Sequence, residues 1–79
     1  MKAEIYTKPT CPFCIRAKAL LQERGIEFVD HDVSNNPDLR AEVSESVGGY
    51  NTVPMIFMDG EFIGGCSELQ ALEAEGKLS

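Results

Sequence analysis

Two cysteines separated by a proline and a phenylalanine, Cys11-Pro12-Phe13-Cys14, are the residues of this chain best suited to covalent chemistry. The residues before them read as a strand and those after them as a helix, so the pair opens the helix. Pro12 suits the first helical position, which makes Cys11 the N-cap and Cys14 the third helical residue. At this spacing the two sulfurs come within bonding reach, and the N-cap sulfur faces backbone N–H groups that no helical carbonyl satisfies. Those donors and the positive end of the helix dipole favour thiolate over thiol. Free cysteine titrates near ~8.5, and such surroundings bring it to roughly 3.5 to 7.5. Cys11 is therefore the expected nucleophile, whereas Cys14, one turn in, is expected to be buried and to remain a thiol. A structural disulfide fits poorly with a cytosolic chain, and zinc would need four ligands where only Cys66 and a lone His31 remain. No metal is expected, and His31, alone on a strand, is assigned no role.

Two further stretches could supply binding groups. Thr52-Val53-Pro54 precedes an apolar run, and proline can both begin a strand and take a cis bond. A cis bond would let the Val53 N–H and C=O turn outward to pair with an extended peptide; on these residues alone a trans proline opening an edge strand serves as well. Gly64-Gly65-Cys66-Ser67-Glu68 lies where a strand gives way to a helix. Its glycines allow close backbone approach and its helix start offers N–H groups to a carboxylate, although glycines at such a place also serve as plain turn residues.

The elements that must position these groups follow from punctuation and periodicity. Lys2 to Thr7 reads as a strand, and Pro9 stops it. The helix from Pro12 turns Ala17, Leu20 and Leu21 inward and stops at Gly25, after which Ile26 to Asp32 reads as a second strand. Strand, helix and strand joined so briefly form a right-handed unit with two parallel strands. Asn36 and Pro37 open a second helix, in which Leu39, Val43 and Val47 recur every four residues until Gly48 and Gly49. Pro54 to Met58 and Glu61 to Ile63 form a hairpin around Asp59-Gly60. Ser67 with Gln70 is expected to form the capping box of a last helix that carries Leu69 and Leu72 inward and ends before Gly76. The expected architecture is α/β: β-α-β-α-β-β-α, a mixed four-stranded sheet with helices on both faces.

Composition sets the outer limits. Seventy-nine residues, 43% hydrophobic, suit one domain over residues 1–79 and leave no room for two cores. The initiating Met1 suggests an independent chain, expected to work as a monomer. A formal charge of −6 argues against nucleic acid as a partner, since that interaction rests on clustered Lys and Arg. Acidic residues crowd Glu42 to Glu45 and Glu68 to Glu75, whereas Lys8, Arg16 and Lys18 make the neighbourhood of Cys11 locally basic. That basic stretch is either ordinary solvated charge or the setting of a thiolate and an anionic ligand. Three cysteines do not make a secreted disulfide framework, and no basic start followed by an apolar run and a cleavage site is present, so the cytoplasm is the expected compartment. No apolar run approaches the ~18 residues of a membrane span.

The element order, together with Lys8-Pro9-Thr10-Cys11-Pro12-Phe13-Cys14, Thr52-Val53-Pro54 and Gly64-Gly65-Cys66, resembles glutaredoxin over essentially the whole chain. The resemblance implies a thioredoxin fold, a cis Pro54 and a groove that holds glutathione as cosubstrate. By position, it implies that Lys8 meets the glycyl carboxylate of glutathione, with Arg40 on the second helix as a second contact. Val53, within Thr52-Val53-Pro54, pairs its backbone with the cysteinyl part, and Cys66, Ser67 and Glu68 receive the γ-glutamyl end, with Gly65 beside them in the glutathione site. Phe13 stands where the family most often has tyrosine, keeping the aromatic wall and losing the hydroxyl. Ser67 and Glu68 stand where it often has two aspartates, which leaves recognition of the glutathione ammonium to Glu68. Implied partners are glutathionylated or disulfide-containing proteins, with ribonucleotide reductase as one possible client. Cys66 is either a small packed residue or a site of reversible glutathionylation or intermolecular disulfide formation. The nearest rival is a thioredoxin-like hydrogen donor reduced by a flavin reductase. A carrier of an iron–sulfur cluster is a second rival, and Pro12 counts against it because cluster-binding relatives usually have glycine or serine there.

Overall fold

The computed structural model describes residues 2–77; Met1, Leu78 and Ser79, which the single-domain reading includes, lie outside the described residues. Seven elements follow in the order β1 (Lys2–Thr7), α1 (Pro12–Glu23), β2 (Glu27–Asp32), α2 (Pro37–Ser46), β3 (Met55–Met58), β4 (Glu61–Gly64) and α3 (Cys66–Ala74). The strands form one mixed sheet in the order β2-β1-β3-β4. β1 pairs with β2 in parallel, Ile5 opposite Asp30, and with β3 antiparallel, Ile5 opposite Ile56. The expected architecture is therefore the observed one.

β1 alternates in the way a two-sided strand must: Ala3, Ile5 and Thr7 are buried on one face, while Glu4 and Tyr6 point to the other. The buried face meets Ala17 and Leu21 of α1, Ile56 and Met58 of β3, and Cys66 and Leu69 of α3, which together form the core cluster. α2 lies on the Tyr6 face. Burial raises the pKa of the Tyr6 hydroxyl, and Glu4 and Glu42, the latter on α2, add to the rise. Of the stripe expected on α2, Val43 is buried and Leu39 and Val47 are half-buried. His31 stacks on Tyr6 with ring centroids 4.6 Å apart, on that same face.

The structure shifts a few boundaries, each for a hydrogen-bonding reason. Ile26 does not join β2, because its N–H closes the end of α1 on the Leu21 carbonyl at 3.0 Å while that of Gly25 meets Gln22 at 3.1 Å. This paired closure needs a left-handed residue between helix and strand, and Gly25 supplies it at φ 68°. Gly48 with Gly49, and Gly76 with Lys77, close α2 and α3 in the same pattern. Pro54 stands before β3 rather than in it, and Gly64 extends β4 by one residue. The capping box expected between Ser67 and Gln70 is not the one that forms. α3 begins two residues earlier, with Gly65 as N-cap, and the Gly65 N–H donates to Glu68 Oε1 at 2.7 Å. A charged carboxylate at the third helical position is a stronger acceptor than the Gln70 amide, and Gly64 ends β4 so that the Gly65 N–H is left to fill.

Candidate active site

Cys11 caps α1 as its spacing predicts: its sulfur accepts a hydrogen bond from the Cys14 N–H at 3.3 Å. Cys11 is half-buried, and Cys14 is fully buried beneath it. The two thiols are free in this structure. Their surroundings push them apart in acidity. For Cys11, burial acts upward, but hydrogen bonds from the Cys14 side chain and from the Cys14 and Phe13 N–H groups, with the Lys8 charge, bring its pKa below the usual thiol value. For Cys14, burial, reinforced by the Cys11 sulfur, pushes the pKa up to about 12. Cys11 is thus the more acidic of the two thiols, and Cys14 keeps its proton at neutral pH, from position on the same helical turn.

The segment Asn51 to Pro54 approaches Cys11 from the other side. The Val53–Pro54 peptide bond is cis, and the Val53 carbonyl lies 3.8 Å from Cys11 Sγ, which donates to it as a thiol. Between this segment and the start of α3 opens a cavity of ≈ 450 Å³, lined by Phe13, Tyr50, Thr52, Val53, Pro54, Gly65, Cys66, Ser67 and Gln70. Seven of the residues read from the sequence line this one cavity: Phe13, Thr52, Val53, Pro54, Gly65, Cys66 and Ser67. They come from α1, the α2–β3 loop and α3, so only the fold brings them together.

Lys8, Arg40 and Glu68 stand around the cavity rather than in its wall. Lys8 follows β1, and its carbonyl accepts from the Cys11 N–H at 3.2 Å. Arg40 lines a neighbouring hollow with Asn51 and donates to the Asn51 carbonyl at 2.8 Å, which ties α2 to the loop carrying Val53. Glu68 is held from three sides: by the Gly65 N–H, the Ser67 hydroxyl at 2.8 Å and, more loosely, the Tyr50 hydroxyl at 3.4 Å. These bonds, led by that of Gly65, hold its carboxyl below the usual range despite some burial. Cys66 is 5% exposed, and burial raises its thiol pKa. It is packed in the core and also borders the cavity.

Tyr50 and Gln70 were not found by sequence reasoning. Tyr50 follows the glycines that end α2, and its ring meets Phe62 of β4 edge-on at 5.1 Å; an aromatic in the loop before Thr52 was the signal available. Gln70 follows Cys66 and Ser67 by about one helical turn, so it shares their face of α3. Among the described residues no three His, Cys, Asp or Glu side chains converge to hold a metal ion. Nor is any described helix long and apolar enough to cross a membrane.

The family model for glutaredoxin matches residues 3–63. Over 75 residues the chain is 49% identical to glutaredoxin 3 of Escherichia coli, spanning 95% of this chain and 89% of that protein. A solution structure of glutaredoxin from Brucella melitensis is 52% identical with a TM-score of 0.84, covering 99% of this chain and 84% of that one. A buckwheat glutaredoxin–glutathione complex, 28% identical, superimposes with a TM-score of 0.88 over 96% of this chain and 71% of that one.

Proposed function

The chain belongs to the glutaredoxin family of thiol-disulfide oxidoreductases, and on that footing we propose that it reduces protein–glutathione mixed disulfides and protein disulfides with glutathione as electron source. The observation that carries this reading is the position of one activated thiol, Cys11, against a cavity built from Phe13, Val53, Gly65, Cys66 and Ser67. The glutathione bound in the buckwheat relative supports the choice of cosubstrate.

In the proposed reaction the Cys11 thiolate attacks the glutathione sulfur of the mixed disulfide. The old S–S bond breaks, a Cys11–glutathione disulfide forms, and the client leaves as a thiolate that takes a proton from solvent. A glutathione thiolate then attacks the glutathione sulfur on Cys11, releasing oxidised glutathione and restoring the Cys11 thiolate. For a client disulfide, the Cys11 thiolate attacks one client sulfur, breaking the client S–S bond, forming a Cys11–client disulfide and releasing the first client thiolate. Cys14 then attacks the Cys11 sulfur, its proton passing to the departing second client sulfur, which leaves a Cys11–Cys14 disulfide that two glutathione molecules reduce.

Glutathione lies along the cavity with its glycyl carboxylate toward Lys8 and Arg40, its cysteinyl backbone on Val53, and its γ-glutamyl end on the Cys66 and Ser67 N–H groups. Thr52 and Pro54 shape the floor, Gly65 keeps it open, and Phe13 forms a wall. Glu68, fixed by its own hydrogen bonds, faces the ammonium group with no further ordering of its side chain. We further assign the activity to a single cytoplasmic domain acting as a monomer.

The test is reduction of a glutathione mixed disulfide coupled to NADPH, with glutathione plus glutathione reductase in one reaction and thioredoxin reductase in another. Turnover with glutathione alone is expected; turnover with thioredoxin reductase alone would move the protein to the class of hydrogen donors fed by a flavin reductase. Cys11→Ser should abolish both activities, and Cys14→Ser should keep deglutathionylation while losing reduction of protein disulfides.

A further inference from the structure

We propose that Phe13, Ile15 and Arg16, at the start of α1, form a docking rim for the protein half of the mixed disulfide, and that this rim selects segments carrying an acidic residue beside an apolar one near the reacting cysteine. This rests on the reading given above and names the class of client within it. Glutathione, as assigned, occupies the cavity between the Val53 segment and α3, so the client chain must leave Cys11 across the outer face of α1.

That face has the chemistry of a contact surface. Phe13 and Ile15 are each 55% exposed, and among the described residues the other exposed large hydrophobic residue, Val29 at 39%, lies on the β2 edge. Exposed apolar side chains beside a nucleophile are suited to a partner that covers them during the reaction. The Arg16 guanidinium carbon lies 5.7 Å from the centre of the Phe13 ring, a cation–π contact that holds the charge at the cavity edge. Its field reaches the Cys66 thiol inside the cavity wall, where it opposes the upward effect of burial.

The charge of the partner follows from which cations are already matched. Lys18, Arg24 and Lys77 each meet a carboxylate, on Asp30, Glu73 and Glu75. Among the described residues Lys8, Arg16, Arg40 and Lys2 meet none within 4.0 Å, although the chain has 13 acidic residues to 7 basic ones. Lys2 is at the far end of β1 from Cys11. Lys8 and Arg40 are assigned to the glycyl carboxylate. Arg16 is left without a counter-ion from the protein or from glutathione, and no acidic residue lies in the first turn of α1. A client carboxylate completes it, and an apolar client side chain covers Phe13 and Ile15.

Two synthetic glutathionylated peptides test this, identical except that the residues flanking cysteine are Asp and Leu in one and Lys and Leu in the other. The mixed disulfide of free cysteine and glutathione serves as a third substrate. The readout is the ratio of kcat/KM for the acidic over the basic peptide, in which any uniform change in activity cancels. The wild-type ratio is expected to be at least about threefold at low salt and to shrink as salt rises. Arg16→Glu should bring the ratio to or below one, Arg16→Gln should give an intermediate value, and Lys2→Glu, with the same change in net charge, should leave it unaltered. Ile15→Ser should raise KM for both peptides and not for the cysteine–glutathione disulfide. A ratio unmoved by Arg16→Glu, or moved equally by Lys2→Glu, overturns the docking rim while leaving the proposed function intact. Failure of the wild-type protein to reduce the cysteine–glutathione disulfide would instead overturn the function on which the rim rests.

Discussion

A methyl group added at Gly65 and one added at Gly64 should have opposite consequences, one falling on the site and the other on the fold. Gly65 has φ −107° and ψ −158°, extended backbone that alanine adopts without strain. A Cβ there would lie 2.7 Å from the Tyr50 hydroxyl oxygen and 3.3 Å from the Pro54 carbonyl oxygen. The Tyr50 hydroxyl must withdraw by at least about 0.7 Å to reach ordinary contact and give up its long bond to Glu68, a loss of about 0.5–1.5 kcal/mol. The capping bond from the Gly65 N–H to Glu68 survives. The new methyl and the displaced hydroxyl both enter the cavity where glutathione is proposed to bind. Overfilling a packed contact costs about 1–3 kcal/mol, and the lower half of that range corresponds to a roughly five- to thirtyfold rise in KM for glutathione.

Gly64 behaves differently. Its φ is 116°, and a Cβ would fall 2.6–2.9 Å from three atoms of the Glu68 side chain. Backbone strain of about 1–3 kcal/mol adds to loss of the Glu68 cap, for a total of about 2–4 kcal/mol. Urea unfolding and steady-state kinetics with glutathione varied separate the two variants. Gly65→Ala should lose about 1 kcal/mol of stability and show the raised KM with an unchanged rate of Cys11 alkylation, whereas Gly64→Ala should show a large shift in unfolding midpoint. A wild-type KM for glutathione in Gly65→Ala would refute the placement of the ligand in this cavity.

The acidity of the two active-site thiols predicts two pH effects. Iodoacetamide at neutral pH should modify Cys11 well before Cys14, which mass spectrometry of the alkylated peptides reads directly. Because the Cys14 pKa is raised in the folded state from an ordinary 9.0 to about 12, its contribution to stability is full below pH 9 and is lost as pH climbs toward 12; reduced protein should therefore unfold more easily across that interval, with a smaller loss in Cys14→Ser. At the other pole of the site, Asn36 caps α2 by accepting from the Leu39 N–H at 3.1 Å, so Asn36→Ala should cost about 1 kcal/mol in urea unfolding. Arg40 lies one turn further along the same helix and holds Asn51, so that variant should also raise KM for glutathione by a small factor, and an unchanged KM would detach α2 from the site.

Most of this protein was readable where one residue type answers one local demand. Cys11 at the N-cap, Pro12 at the first helical position, Gly25 past the end of α1 and Asp59-Gly60 in the hairpin each satisfy a backbone requirement within a few residues, so their neighbours in sequence suffice to recognise them. The same holds for the alternation of β1, and hence for the order of the elements and the unequal thiols of Cys11 and Cys14, whose difference arises within a single helical turn. Where two residues competed for one role, sequence was less informative. Ser67 and Gln70 have the spacing of a capping box as well as Gly65 and Glu68 do, and the end of β4 at Gly64 decides which N–H is left for a side chain to satisfy.

Groups that act across the fold were decided by tertiary structure alone. Tyr50 belongs to the cavity because Phe62 of β4 supports its ring and Glu68 of α3 receives its hydroxyl. The Val53 carbonyl meets Cys11 across 42 positions of sequence, and Arg16 stands out because Lys18, Arg24 and Lys77 find carboxylates while it lies beside the exposed Phe13 ring with none among the described residues. Local chemistry is written in spacing, since hydrogen bonds and helix dipoles act over a turn or two. A cavity wall and an uncompensated charge are properties of surfaces that separate elements share, and they exist only once those elements have packed.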